Sequence, residues 1–154
     1  MTLNGNDLYV AGESDNFEAV VYKLPYGGTW QNISPSSIAN SYVDTLSISS
    51  STLYVAGAKN DYTQGMVLSL PLTAGNWVDI SNNSFCGEAN CLGSGWVNSL
   101  AYSGNTLYAG GVFESYIKST PANSINWTEV WDAGNVLNGP ISNIVAAADG
   151  AIYA

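Results

Sequence analysis

A five-residue tract, Leu8-Tyr9-Val10-Ala11-Gly12, recurs along this chain and constrains its fold more than any other feature. It returns as Leu53-Tyr54-Val55-Ala56-Gly57 and, altered, as Leu107-Tyr108-Ala109-Gly110-Gly111. A further copy begins at Ile152-Tyr153-Ala154. The tyrosines Tyr9, Tyr54, Tyr108 and Tyr153 lie 45, 54 and 45 residues apart. A second mark follows each full copy: Trp30-Gln31-Asn32-Ile33, Trp77-Val78-Asp79-Ile80 and Trp127-Thr128-Glu129-Val130. Two independent marks sharing one period define an internal repeat, and a period of about 45–50 residues belongs to stacked units.

Each unit reads as four short strands. The first carries spaced apolar residues, as in Val43, Leu46 and Ile48. Turns rich in Gly, Asn and Ser follow: Asn4-Gly5-Asn6, Ser49-Ser50-Ser51, Ser103-Gly104-Asn105 and Asp149-Gly150. The Leu-Tyr tract is the second strand, apolar on both faces, which predicts cover on both sides. Residues 19–24, 65–70 and 116–119 form the third, and each Trp-x-x-Ile/Val segment the fourth. No helical periodicity interrupts this pattern. The expected architecture is all-β: a partial β-propeller of about three four-stranded antiparallel blades plus an incomplete fourth. The units run over residues 1–42, 43–96 and 97–140, with a partial unit at 141–154. An antiparallel sandwich is the alternative, although it requires no repeat of this period.

The segment from Val21 to Trp30, with Tyr26-Gly27-Gly28-Thr29-Trp30 at its end, resembles the Asp-box hairpin of sialidase-like β-propellers. Residues 67–77 and 117–128 are similar. Tyr26, Leu72 and Pro121 stand where that family has its aspartate, so the side-chain cap of the hairpin is missing. The Leu-Tyr tract is also similar to kelch-like propellers. Such a resemblance implies a propeller and admits hydrolases, lectins and purely structural members. Sialidase chemistry would need three arginines around the substrate carboxylate.

This chain has no arginine and no histidine; its bases are Lys23, Lys59 and Lys118. Ser-His-Asp and Cys-His catalysis and His-ligated zinc are thereby excluded within it. The net charge of −9 leaves no basic stripe for nucleic acid or for an anionic membrane surface. No apolar run approaches the ~18 residues of a membrane helix. Residues 1–5 have neither the basic nor the apolar part of a secretion signal. With a first strand at Thr2-Leu3 and a last at Tyr153-Ala154, this predicts a piece of a larger propeller or a protomer completed by identical partners.

In a propeller the second-to-third-strand loops and the links between blades share one face. Loops on a rigid scaffold are where binding residues concentrate. That face is expected to gather Glu13, Asp15, Glu18, Asn60, Asp61 and Glu114, with Phe17, Tyr62, Trp96, Phe113 and Trp131. Carboxylates and amides bond sugar hydroxyls, and rings stack on sugar C–H faces. Glu13, Asp15, Asn60, Asp61, Tyr62, Glu114 and Trp96 are the candidate binding residues for a glycan or protein. The plain alternative is a solvated acidic surface. The recurring Tyr9, Tyr54, Tyr108 and Tyr153, and likewise Trp30, Trp77 and Trp127, are expected in the core between blades. Oxygen ligands admit calcium, although residues 13–18 lack EF-hand spacing. No other cofactor is implied.

Paired carboxylates among Glu13, Asp15, Asp61 and Glu114 could serve glycoside hydrolysis. Three readings thus stand: a non-catalytic extracellular binding or adhesion module, a piece of a propeller glycoside hydrolase, or a structural repeat without ligand. Cys86 and Cys91 enclose four residues, a spacing expected to close a local disulfide worth about 2 kcal/mol. That places the chain in an oxidising compartment, extracellular or periplasmic.

Overall fold

The computed structural model describes all residues except 17, 60–61, 74, 87–94, 114–115, 123 and 131–138. The described residues are all-β, with a single 3-10 turn at Ser36–Ile38. Three sheets have four strands each and a further one has two. The first comprises β1 (Thr2–Asn4), β2 (Asp7–Glu13), β3 (Ala19–Leu24) and β4 (Gln31–Asn32). The second comprises β5 (Tyr42–Ile48), β6 (Thr52–Ala58), β7 (Gly65–Pro71) and β8 (Val78–Asp79). The third comprises β9 (Trp96–Ser103), β10 (Thr106–Val112), β11 (Ile117–Pro121) and β12 (Thr128–Glu129). The last pairs β13 (Val145–Ala146) with β14 (Ile152–Tyr153). Every pairing is antiparallel and each sheet follows chain order.

Local chemistry explains the strand boundaries. Gly5 (φ 58°), Gly104 (φ 54°) and Asn105 (φ 75°) take the left-handed backbone that two-residue hairpin turns require. The Ser49–Ser51 turn has no glycine; there the Ser49 hydroxyl accepts from the Thr52 N–H at 3.0 Å. The fourth strands end in a shared device. Ser34 N–H donates to Asn32 Oδ1 (2.9 Å), and Ser81 N–H to Asp79 Oδ1 (2.8 Å). Each serine hydroxyl then accepts from the third strand, from Val21 N–H at 2.8 Å and Val67 N–H at 2.7 Å.

The sheets pack face to face in chain order. Tyr9, Val21 and Ala19 of the first meet Leu53, Val55, Met66 and Leu68 of the second. On the second sheet's other face Tyr54, Ala56, Val67 and Ile80 meet Val97, Leu107 and Ala109 of the third. Alternation along β6 supplies both cores, so every residue of that strand is buried. Ala101 and Ile117 then pack against Ile141 and Ile144.

Two tryptophans lock these junctions. Trp77 Nε1 donates to the Ile33 carbonyl (2.6 Å), and Trp127 Nε1 to the Ile80 carbonyl (2.7 Å), each in the preceding sheet. Trp30 departs from the expectation of a core position: it is 51% exposed, because no sheet covers its side of the first sheet. Tyr153 departs likewise at 62% exposed, on the outer face of the two-stranded sheet. Cover on both faces of the Leu-Tyr tract is therefore complete only in β6. Phe113, expected on the loop face, is 2% exposed and packs edge-on against Phe85, with ring centroids 5.0 Å apart. Among the described residues no helix is long and apolar enough to cross a membrane.

Candidate functional site

Two glycines set up the most distinctive geometry. A Cβ on Gly57 would sit 1.9 Å from the Tyr42 carbonyl oxygen, and one on Gly111 1.9 Å from that of Trp96. Only glycine lets the first strand come that close. At both places the register slips by one residue, between Val43 and Thr45 in β5 and beside Gly110/Gly111 against β9. The extra residues of these bulges are Asp44 and Asn98. Bulges bend a strand and re-aim side chains. Here both turn toward the next sheet: Asp44 accepts from Trp96 Nε1, and Asn98 donates to the Ile141 carbonyl at 2.9 Å.

Around the first bulge three rings meet. Tyr42 stacks on Tyr62 with centroids 4.6 Å apart, and Trp96 lies 5.0 Å from Tyr62 and 5.7 Å from Tyr42. Each such pair contributes about 0.5–1.5 kcal/mol beyond its buried area. All three rings are half-buried. Tyr62 has φ 56°, a strained backbone for a non-glycine residue. Its N–H donates to the Lys59 carbonyl (2.8 Å) and its carbonyl accepts from Gly95 (2.8 Å), which pins it beside Trp96. Tyr116 repeats the φ (53°) and the loop bond, to Phe113, so the strain belongs to the loop type.

The electrostatics are acidic. The Tyr62 phenol is pushed up to about 12, first by its hydrogen bond to Tyr42, then by lost hydration and by the charges of Glu13 and Asp44. Asp44 is raised because its neighbours strip hydration from the carboxylate; the Trp96 hydrogen bond pulls the other way. Its side chain is still open to solvent.

Asp44 also lines a polar cavity of about 280 Å3 between the first strands of successive sheets. Thr45, Ser99 and Asn143 supply its other polar side chains, and Met1, Ala11, Leu46, Leu100 and Ile144 complete a lining whose exposed surface is almost wholly polar. The Ser99 hydroxyl donates to Asn143 Oδ1 (3.1 Å) and accepts from Ile144 N–H (2.9 Å), which fixes that wall.

Of the residues singled out in the sequence, Tyr62 and Trp96 come together, with Glu13 close enough to bias Tyr62. Asp15 lies in the exposed turn after β2, and no described contact joins it to this cluster. Asn60, Asp61, Glu114 and Cys91 lie outside the described residues. Cys86 is buried. Tyr42, Asp44 and the cavity were missed. The one signal for them was a Gly paired with the start of the preceding strand. Among the described residues no group of three Asp, Glu or Cys side chains converges as a metal site. No protein-family model matches the sequence, and no curated protein is significantly similar to it.

Proposed function

We propose that this protein is a non-catalytic binding module of β-propeller build, and that the Tyr42–Tyr62–Trp96 cluster beside the Asp44 cavity holds a neutral glycan. The observation that carries the reading is Asp44 itself. One carboxylate joins three half-buried rings to a cavity walled by hydroxyl and amide groups. A sugar needs this pairing of a ring surface for its C–H face and fixed acceptors for its hydroxyls. The cavity lies near the lower end of ligand pockets, roughly 300–1,000 Å3, which suits one sugar unit at a time. Glu13 and Asp44 repel anionic sugars, so neutral or amino sugars are favoured.

The propeller reading draws on three four-stranded sheets packed in chain order, with residues of all three lining one cavity. An extracellular setting and a Cys86–Cys91 disulfide belong to the same reading. Thiol titration of the unfolded protein is expected to find no reactive thiol until reductant is added.

Titration with a panel of neutral and amino oligosaccharides, followed by indole NMR, tests the function. Saturable shifts of the Trp96 signal are expected, weakened at least tenfold by Trp96→Ala or Asp44→Asn and unchanged by Tyr26→Ala. No shift across the panel at millimolar sugar overturns the reading.

A further inference from the structure

The bulge residues Asp44 and Asn98 hold equivalent positions, each following a valine opposite a glycine: Val43↔Gly57 and Val97↔Gly111. They differ in charge. Asn98 is neutral and donates to the Ile141 carbonyl at 2.9 Å. Asp44 accepts from Trp96 Nε1, a bond that the side-chain oxygen of an asparagine would accept as well. The junction between the sheets therefore does not require a charge at residue 44.

Nothing in the chain neutralises that charge either. The three bases are all engaged elsewhere. Lys23 pairs with Asp7 at 2.7 Å, Lys59 lies 3.8 Å from Asp79, and Lys118 donates to the Ser84 carbonyl at 2.6 Å. Among the described residues no ion pair reaches Asp44. A carboxylate has about four lone-pair sites, and the indole takes one. Asp44 is open to solvent and lines the polar cavity, so the remaining sites are accessible. The rings of Tyr42, Tyr62 and Trp96 stand beside it.

A carboxylate without a cation next to aromatic faces suits one kind of group best. An ammonium donates charge-assisted hydrogen bonds to the carboxylate and is drawn to the face of an indole or phenol ring. A neutral hydroxyl gains only the hydrogen bond. A hard metal ion would need several more oxygen ligands, and among the described residues no three acidic groups converge.

We propose that the group seated at Asp44 is a protonated amine, so that the preferred ligand is an amino sugar with a free ammonium. This rests on the glycan reading and narrows it. The ammonium donates to the Asp44 carboxylate and lies against the Trp96 ring, while Thr45 and Asn143 remain for the hydroxyls of the sugar.

Three disaccharides of one backbone test it: two glucosamine units, the same with both amines acetylated, and the glucose counterpart. Each is titrated into the whole chain and followed by the Trp96 indole signal. At about pH 6 the amines are protonated, and about 0.15 M salt screens the diffuse field of the acidic surface. The free-amine form is expected to bind at least tenfold more tightly than either of the others. Asp44→Asn, which places at residue 44 the side chain found at Asn98, should bring that ratio to within twofold of one. Asp15→Asn, in the exposed turn after β2, should leave it unchanged.

Binding of the glucose disaccharide with no preference for the amine overturns this inference alone and leaves the glycan reading standing. No shift with any of the three overturns both. A preference that survives Asp44→Asn also overturns the inference, because the amine would then sit elsewhere. So does one that falls equally with Asp15→Asn, because the attraction would belong to the acidic surface as a whole.

Discussion

The second sheet is covered on both faces and the first on one, although their second strands share the same five residues. In β6 every position is buried; in β2 only Tyr9 is, at 2% exposed. The difference lies in neighbours, not in local sequence. Leu53 and Val55 point at the first sheet, while Leu8 and Val10 point where no sheet stands. Identical strands can thus make unequal contributions to stability, because the hydrophobic term follows area removed from water and not residue type.

The largest expected effect compares Leu53→Ala with Leu8→Ala. Leu53 is fully buried, so its truncation should cost about 2–5 kcal/mol of unfolding free energy. Leu8 is partly exposed already, and its truncation should cost under about half of that. Urea denaturation measures both, and equal costs would break the comparison. Next come the glycines. Gly57→Ala drives a methyl into the Tyr42 carbonyl and should cost about 1–3 kcal/mol or more. Gly12→Ala meets open space and should lie within about 1 kcal/mol of neutral, on either side. Smaller again is Trp77→Phe, which removes the part-buried hydrogen bond to the Ile33 carbonyl and should cost about 0.5–1.5 kcal/mol. Trp30→Phe should change stability by less than about 0.5 kcal/mol. A Trp30 effect as large as that of Trp77 would show the first sheet's outer face to be occupied already.

Much of this was legible in the sequence. The Leu-Tyr tracts became β2, β6, β10 and, in part, β14; the Gly/Asn/Ser turns fell where expected; the tryptophans marked the fourth strands. These signals are local, set by alternation and turn chemistry. The errors came from what surrounds each element. Trp30 and Tyr153 carry the same local signal as Trp77 and Tyr54, yet face open sides of the end sheets. Phe113 reads as a loop aromatic because nothing nearby in sequence announces Phe85, its partner in the core. Asp44 sits in an ordinary strand pattern. It became part of the candidate site because Gly57 admits a bulge that redirects it to Trp96, 52 residues further on.

The smallest effect sharpens the same contrast at the junction between the second and third sheets, where Tyr42, Tyr62 and Trp96 meet. The Tyr62 phenol, held at about 12, should still be protonated at a pH where an ordinary tyrosine has half-ionised, near 10. Because the folded value lies above the unfolded one, the stabilisation is fully present below about 10. It is lost as pH rises through about 12. Tyr42→Phe removes the largest cause, the hydroxyl hydrogen bond, and keeps the ring stack. Absorbance titration at 295 nm should then find the Tyr62 transition moved down toward the ordinary value, with the midpoint of urea unfolding at neutral pH little changed. Asp44→Asn should move it down by less, since the Asp44 charge is the last of the causes. If Asp44→Asn lowered the transition as far as Tyr42→Phe, the dominant influence on Tyr62 would be the carboxylate of the cavity, and the ring cluster and the cavity would have to be treated as one electrostatic site.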